Sequence, residues 1–218
     1  MIDHLEFRER LLAWWYKNRR QFPWRQTQDP YHILISEVLL HRTRADQVIP
    51  VYTEFLKRFP YVEKLACAAE EQIERVLYPL GLHWRSRLVR SMAQQIVSRY
   101  HGRIIADVQE LKTLPGVGDY IASAVVSFAF GHPEVLLDTN TVRVLGRILG
   151  MKITDASRRK RYMRTVYRSI LDEQHPREFN YAMIDLGALI CRPQNPRCQE
   201  CPLMQMCIHG SSRAGDKY

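Results

Sequence analysis

A chain of 218 residues with 46% hydrophobic content is long enough to bury the core of one large domain or of two small lobes. No apolar run approaches the roughly 18 residues that span a bilayer, and Met1 to Arg10 mixes acids and bases where a signal peptide needs an apolar centre, so a soluble, intracellular (cytoplasmic) chain without membrane attachment is expected. The formal charge of +9 favours an anionic partner, with nucleic acid the first candidate.

Residues 5–17 predict an amphipathic opening helix with Leu5, Leu12 and Trp15 near one face and Arg8 and Glu9 opposite. Gln21 to Tyr31, broken by Pro23 and Pro30, reads as a connecting loop. A buried helix follows over 33–43, with apolar residues at Ile35, Val38 and Leu39, and it makes Glu37 unusual. That carboxylate is either on the exposed face, in a structural ion pair, or an acid perturbed by burial. His41, Arg42 and Arg44 at the helix end complement its dipole or enter a DNA groove. The next helix runs from Asp46 to Phe59, with Pro50 placed in its first turn and Pro60 as its stop. Helices over 70–77 and 85–100 come next, the second with Leu88, Met92 and Ile96 facing inward. Between them Gly81 suits a helix C-cap, or, with the basic run that opens at Arg85, a contact to a nucleic-acid backbone.

The stretch from Leu111 to Arg143 organises the rest. Leu111 and Leu114 close one apolar-periodic segment, Pro115-Gly116-Val117-Gly118 makes a tight turn, and Ile121, Ala122, Val125, Phe128 and Ala129 give the following segment helical spacing. Glycines at 116 and 118 remove side chains that would block close approach, and the second helix begins with backbone N–H groups lacking intrahelical partners, a surface suited to phosphate. Asp138 follows the apolar Val135-Leu136-Leu137 and precedes Thr139-Asn140, a candidate N-cap for the helix carrying Val142, Leu145 and Ile148. It is either itself a cap or a carboxylate that opposes positive charge on a sugar or activates a water. Two further helices are predicted over 157–173 (Met163, Val166, Ile170) and 176–191 (Phe179, Met183, Ile184, Leu186), with no strand anywhere and a frayed tail over 211–218.

Cys67 stands alone, whereas Cys191, Cys198, Cys201 and Cys207 form C-x6-C-x2-C-x5-C. In a reducing compartment such clustering argues for metal over disulfides, and four thiolates so spaced close around either zinc or an iron–sulfur cluster.

Leu-Pro-Gly-Val-Gly, a following helix and an aspartate some twenty residues on resemble the helix-hairpin-helix, Gly/Pro-rich-loop, aspartate (HhH-GPD) superfamily of base-excision DNA glycosylases. The resemblance extends through Phe22-Pro23-Trp24-Arg25, Ile35-Ser36-Glu37-Val38 and the cysteine loop, whose spacing is similar to that of the endonuclease III and adenine-glycosylase branch. It implies an all-α, two-lobed fold: a six-helix lobe over about 30–135 that contains the hairpin (111–130), and a second lobe made of about 1–29 plus 136–218 with a [4Fe-4S] loop at 191–207. It implies a monomer acting on double-stranded DNA that contains a mismatched or damaged base.

Within that resemblance, lyase members carry a lysine where this chain has Tyr120, so a monofunctional glycosylase is implied. Tyr120 is similar to the thymine-DNA mismatch glycosylases, and some adenine glycosylases also carry it, so it excludes lyase action better than it names a base. Adenine glycosylases carry Gly-Tyr-Tyr in place of Gly81-Leu82-His83, a glutamine pair in place of His41-Arg42, and a further C-terminal domain after the cluster loop. Thymine or uracil opposite guanine is therefore the first expectation, adenine opposite guanine or 8-oxoguanine the second, and a non-catalytic iron–sulfur DNA-binding protein the alternative of another class. The implied catalytic residues are Asp138, Glu37 and Tyr120. The implied DNA contacts are His41, Arg42, Leu114, Gly116, Val117, Gly118, Gly81 and Arg85, and the cluster ligands are Cys191, Cys198, Cys201 and Cys207.

Overall fold

The computed structural model describes residues 3–81, 83–154, 156–157 and 160–215. It divides into two compact units, one formed by 21–130 and the other by 1–20 with 131–218. The boundaries lie earlier in the chain than the sequence pattern places them, for reasons visible at each. Trp24 is buried, stacked on Phe22 and edge-on to Tyr52, which ties 21–29 to the following helices. Asn180 Nδ2 donates to Glu134 O at 3.0 Å, which ties 131–135 to the other unit.

In the 21–130 unit the helices are α2 (Pro30–Leu40), α3 (Ala45–Arg58), α4 (Val62–Ala66), α5 (Glu70–Leu77), α6 (Ser86–Tyr100), α7 (Val108–Leu111) and α8 (Asp119–Phe130). Asp29 starts α2 by accepting from Tyr31 N and His32 N, with Pro30 at the first helical position. Ile33 to Leu39 are all buried, as are Ile121 to Phe128 of α8, and the two helices pack on each other as the unit's centre. Helices apolar on every side can only be interior. Among the described residues of this unit seven α-helices stand where six were expected, because α4 is too short to show periodicity, although Val62, Leu65 and Ala66 bury against α6. Two packing expectations are corrected. Pro50 lies inside α3, beyond its first turn, where the Asp46 carbonyl left without a donor belongs to an exposed residue. The inner stripe of α6 is Val89, Met92, Ala93 and Ile96, while Leu88 is 37% exposed.

The second unit comprises α1 (His4–Asn18), α9 (Thr139–Ile148), α10 (Arg161–Ile170), α11 (Pro176–Leu189) and α12 (Ile208–Gly215). The buried face of α1 is Phe7, Leu11 and Trp15; Leu5 is exposed, and Arg8 reaches inward to donate to Ile170 O and Ser169 O. Phe179 packs against Phe7 and Tyr167, with Tyr167 taking the α10 core position assigned by periodicity to Val166. Asp185 is fully buried and accepts from Trp15 Nε1 (3.0 Å) and Arg20 Nε (2.6 Å), joining α1 to α11. Helix α10 begins later than 157, and residues 155, 158 and 159 lie outside the described residues. Helix α12 continues to Gly215 where a frayed tail was expected, with 216–218 outside the description. Among the described residues there is no strand.

Candidate active site and DNA-binding elements

Asp138 is itself the N-cap of α9, one of its two expected roles, and Thr139-Asn140, the other candidates, lie in the first turn. Its carboxylate accepts from Thr141 N at 2.7 Å and from Asn140 Nδ2 at 2.9 Å, while its own N–H donates to Thr141 Oγ1 at 2.9 Å. Thr141 is fully buried and donates onward to Leu136 O. These bonds fix the orientation of the half-buried carboxylate. Behind it, the Tyr167 hydroxyl donates to Asn180 Oδ1 at 2.7 Å. Burial, with the Asp138 charge second, pushes the Tyr167 phenol well above its ordinary value, so it remains a donor.

A second tier of contacts runs from Asp138 along α9. Arg143 Nη2 donates to Asn140 Oδ1 and to Gly187 O, each at 2.8 Å, and Arg143 Nε donates to Cys191 O at 2.8 Å. One turn on, Arg147 Nη1 donates to Cys191 Sγ at 3.4 Å and its guanidinium also holds Arg192 O and Pro193 O. No local pattern announced Arg143 or Arg147. Among their partners are backbone carbonyls more than forty positions away.

The cysteine loop coils through short 3-10 turns at Cys198–Glu200 and Met204–Met206. Cys191, Cys198, Cys201 and Cys207 are half-buried free thiols, whereas Cys67 is exposed in the other unit. Burial, followed by the influence of the other three cysteines, pushes the Cys201 thiol up to about 12; burial also raises Cys207. Thiols whose ionisation is opposed, as at Cys201 and Cys207, suit a strongly positive metal centre, and Gly210 N and Arg147 supply hydrogen bonds to Cys207 Sγ and Cys191 Sγ. Among the described residues no three His, Cys, Asp or Glu side chains converge as ligands of a single ion. A cluster, which interposes several irons between the thiolates, does not require that convergence.

The 21–130 unit holds the remaining candidates. Glu37 is only 6% exposed within the apolar run of α2, and Tyr120 is half-buried in the first turn of α8. At the end of α2, His41 and Arg42 are both exposed, and Arg42 adopts φ 64°, left-handed backbone that costs a non-glycine residue strain. In the hairpin, Gly116 has φ 80°, and an added Cβ at Gly118 would meet nothing within 4 Å. Leu114 and Val117 have buried side chains, so only their backbone faces a ligand. Lys112 Nζ binds Asp119 at 2.6 Å across the turn. Gly81 (φ 65°) closes the turn Tyr78–Leu80 as a C-cap; Leu82 lies outside the described residues. Arg85 departs from expectation: it is 5% exposed, with its guanidinium turned toward the end of α2.

Residues 35–168 match the family described as HhH-GPD superfamily base excision DNA repair protein, and residues 191–207 match the iron-sulfur binding domain of endonuclease III. The chain belongs to the HhH-GPD superfamily. The thymine-DNA glycosylase of Aeropyrum pernix is 43% identical over 94% of this chain and 95% of its own length. The thymine/uracil-DNA glycosylase of Pyrobaculum aerophilum is 36% identical over 97% of this chain and 95% of its own. A solved structure of a thermostable thymine-DNA glycosylase superposes with a TM-score of 0.90 at 30% identity, covering 96% of this chain and 97% of that one. Adenine DNA glycosylases also match, with a smaller share of their own length covered. As an HhH-GPD protein with the endonuclease III iron-sulfur binding domain over residues 191–207, the chain carries a [4Fe-4S] cluster, and DNA is its partner.

Proposed function

We propose that this protein is a monomeric, monofunctional DNA glycosylase that removes thymine or uracil paired with guanine. The observation that carries the reading is Asp138, a half-buried carboxylate fixed by Thr141 and Asn140 within an HhH-GPD fold shared with a thymine-DNA and a thymine/uracil-DNA glycosylase. Tyr120 in place of an amine supports hydrolysis without strand cleavage.

The target nucleotide leaves the stack and enters the enzyme. Its N-glycosidic bond breaks with the electron pair departing on the base, and positive charge develops on the sugar. Asp138 opposes that charge and orients the water that attacks C1′. Glu37 takes the water proton or supplies one to the leaving base. Tyr120 meets the sugar-phosphate beside the site. The backbone of Gly116 to Gly118 and the start of α8 grip phosphate. His41 and Arg42 occupy the vacated stack, and Arg42 reads the orphan guanine with its planar fork. Cys191, Cys198, Cys201 and Cys207 would hold the cluster, which would keep the 191–207 loop, including exposed Arg192 and Arg197, in one shape against DNA.

The test is a panel of duplexes containing G:T, G:U, A:G and A:8-oxoguanine, incubated with the holoprotein and then treated with alkali. Alkali-dependent breaks at T and U opposite G are expected. Breaks at adenine would replace this reading with adenine removal, breaks before alkali would overturn monofunctionality, and none at all would leave a non-catalytic DNA-binding protein.

A further inference from the structure

Arg85 was a natural candidate for a phosphate contact, yet almost none of it meets solvent. Nη1 donates to Val38 O at 3.0 Å, and Nη2 lies 2.9 Å from His41 Nδ1. Val38 is in the last turn of α2, whose carbonyls have no donor further along the helix, and the cation also complements that end of the dipole. A guanidinium only donates, so His41 Nδ1 must accept. The ring is then neutral and keeps its hydrogen on Nε2. The guanidinium carbon also lies 4.8 Å from the ring centre of Trp84, which is 58% exposed. Burial first, and the Arg42 charge second, draw Arg85 below its ordinary value, which places Arg42 within electrostatic reach. One buried side chain thus ties together two exposed segments, His41-Arg42 and His83-Trp84.

We propose that Arg85 is a positioning residue that locks the His41-Arg42 tip, fixing the His41 tautomer and setting Arg42 toward the base opposite the excised one. The proposal rests on the reading of His41 and Arg42 as contacts to that base. An arginine is required because two acceptors in different directions need a rigid fork, which a lysine ammonium on a flexible stem does not provide. The strained left-handed backbone at Arg42 persists only while its surroundings hold it.

The test compares Arg85→Lys, His41→Ala, Arg42→Ala and Arg85→Lys/His41→Ala, all as holoproteins, in single-turnover excision from G:T and G:U duplexes and in binding to undamaged duplex. Nitrogen NMR of the imidazoles accompanies it. Arg85→Lys is expected to keep undamaged-duplex affinity while excision falls by about ten- to a hundredfold, the scale of a small misplacement. The double variant should be no slower than His41→Ala, since residues acting as a unit are not additive. In the parent, His41 should show hydrogen on Nε2 alone, and Arg85→Lys should lose that signature. Parent-like excision by Arg85→Lys while His41→Ala and Arg42→Ala fail would overturn the Arg85 proposal alone, as would hydrogen on Nδ1 in the parent. Equal loss of undamaged-duplex binding and excision would make Arg85 a phosphate contact. If His41→Ala and Arg42→Ala both match the parent, the tip reading itself falls.

Discussion

Replacing Asp138 by Asn separates charge from capping, and its cost can be worked through atom by atom. The amide oxygen can still accept from Thr141 N, and Asn caps as well as Asp. The amide nitrogen, however, meets Asn140 Nδ2, a donor now 2.9 Å from the carboxylate. Asn140 cannot turn over without placing its own donor against Arg143 Nη2, which binds its Oδ1 at 2.8 Å. One hydrogen bond is lost wherever the mismatch settles, a cost of about 1 kcal/mol, or roughly 2–4 °C in melting temperature for a protein of this size. Excision should fall much further, by at least about a hundredfold, or about 2.7 kcal/mol of barrier, the scale of a lost electrostatic or acid–base catalyst. Single-turnover excision from G:T and G:U duplexes, thermal melting and the visible absorbance of the cluster measure the three quantities. Excision near the parental rate with melting lowered as calculated would reduce Asp138 to a helix cap and refute the catalytic assignment.

Gly187→Ala should be disproportionately harmful, because the new Cβ would lie 2.6 Å from Asn140 Cβ and 3.1 Å from its Cα. Overpacking of about 1–3 kcal/mol is expected in melting, with excision falling as Asn140 moves off Asp138; a parent-like melting curve would show that α9 and α11 can separate freely. Cys201→Ser should remove most of the iron, about four atoms per chain in the parent, whereas Cys67→Ser should retain it; equal loss by both would misassign the ligands. Duplex affinity should fall steeply with salt, by about 0.9 log units per log unit of salt for each phosphate neutralised, and a flat titration would count against the hairpin and basic side chains as the grip.

What could be read from the amino-acid order was whatever is written locally. Cysteine spacing, the Pro-Gly-Val-Gly turn and the apolar runs of α2 and α8 all depend on neighbours within a few positions, whereas the Asp29 cap that starts α2 at Pro30 falls in a stretch that reads as loop. Misassignments arose where adjacent apolar residues competed for one face: Phe7 and Leu11 are buried, whereas Leu5 is not, and Val89 is buried while Leu88 lies beside Gly116. Arginines were the least legible. Arg85, Arg143 and Arg147 look like members of a basic surface, but each spends at least one donor on a distant carbonyl, and nothing in the composition separates such residues from those left to meet phosphate. The candidate site was thus legible in its acids and turns, but not in the residues that hold them.

The opening helix has a different consequence. Phe7, Leu11 and Trp15 are buried by segments near the other end of the chain, and the Trp15 bond to Asp185 joins residues 170 positions apart. During synthesis at about 5–20 residues per second, that helix must wait on the order of ten to thirty seconds for its partners. The 21–130 unit, made from one uninterrupted stretch, can complete its core in the meantime. The growing chain therefore carries an unsheltered apolar ridge until α11 has been made. Removing that ridge would leave Phe179 and Asp185 uncovered in the finished protein.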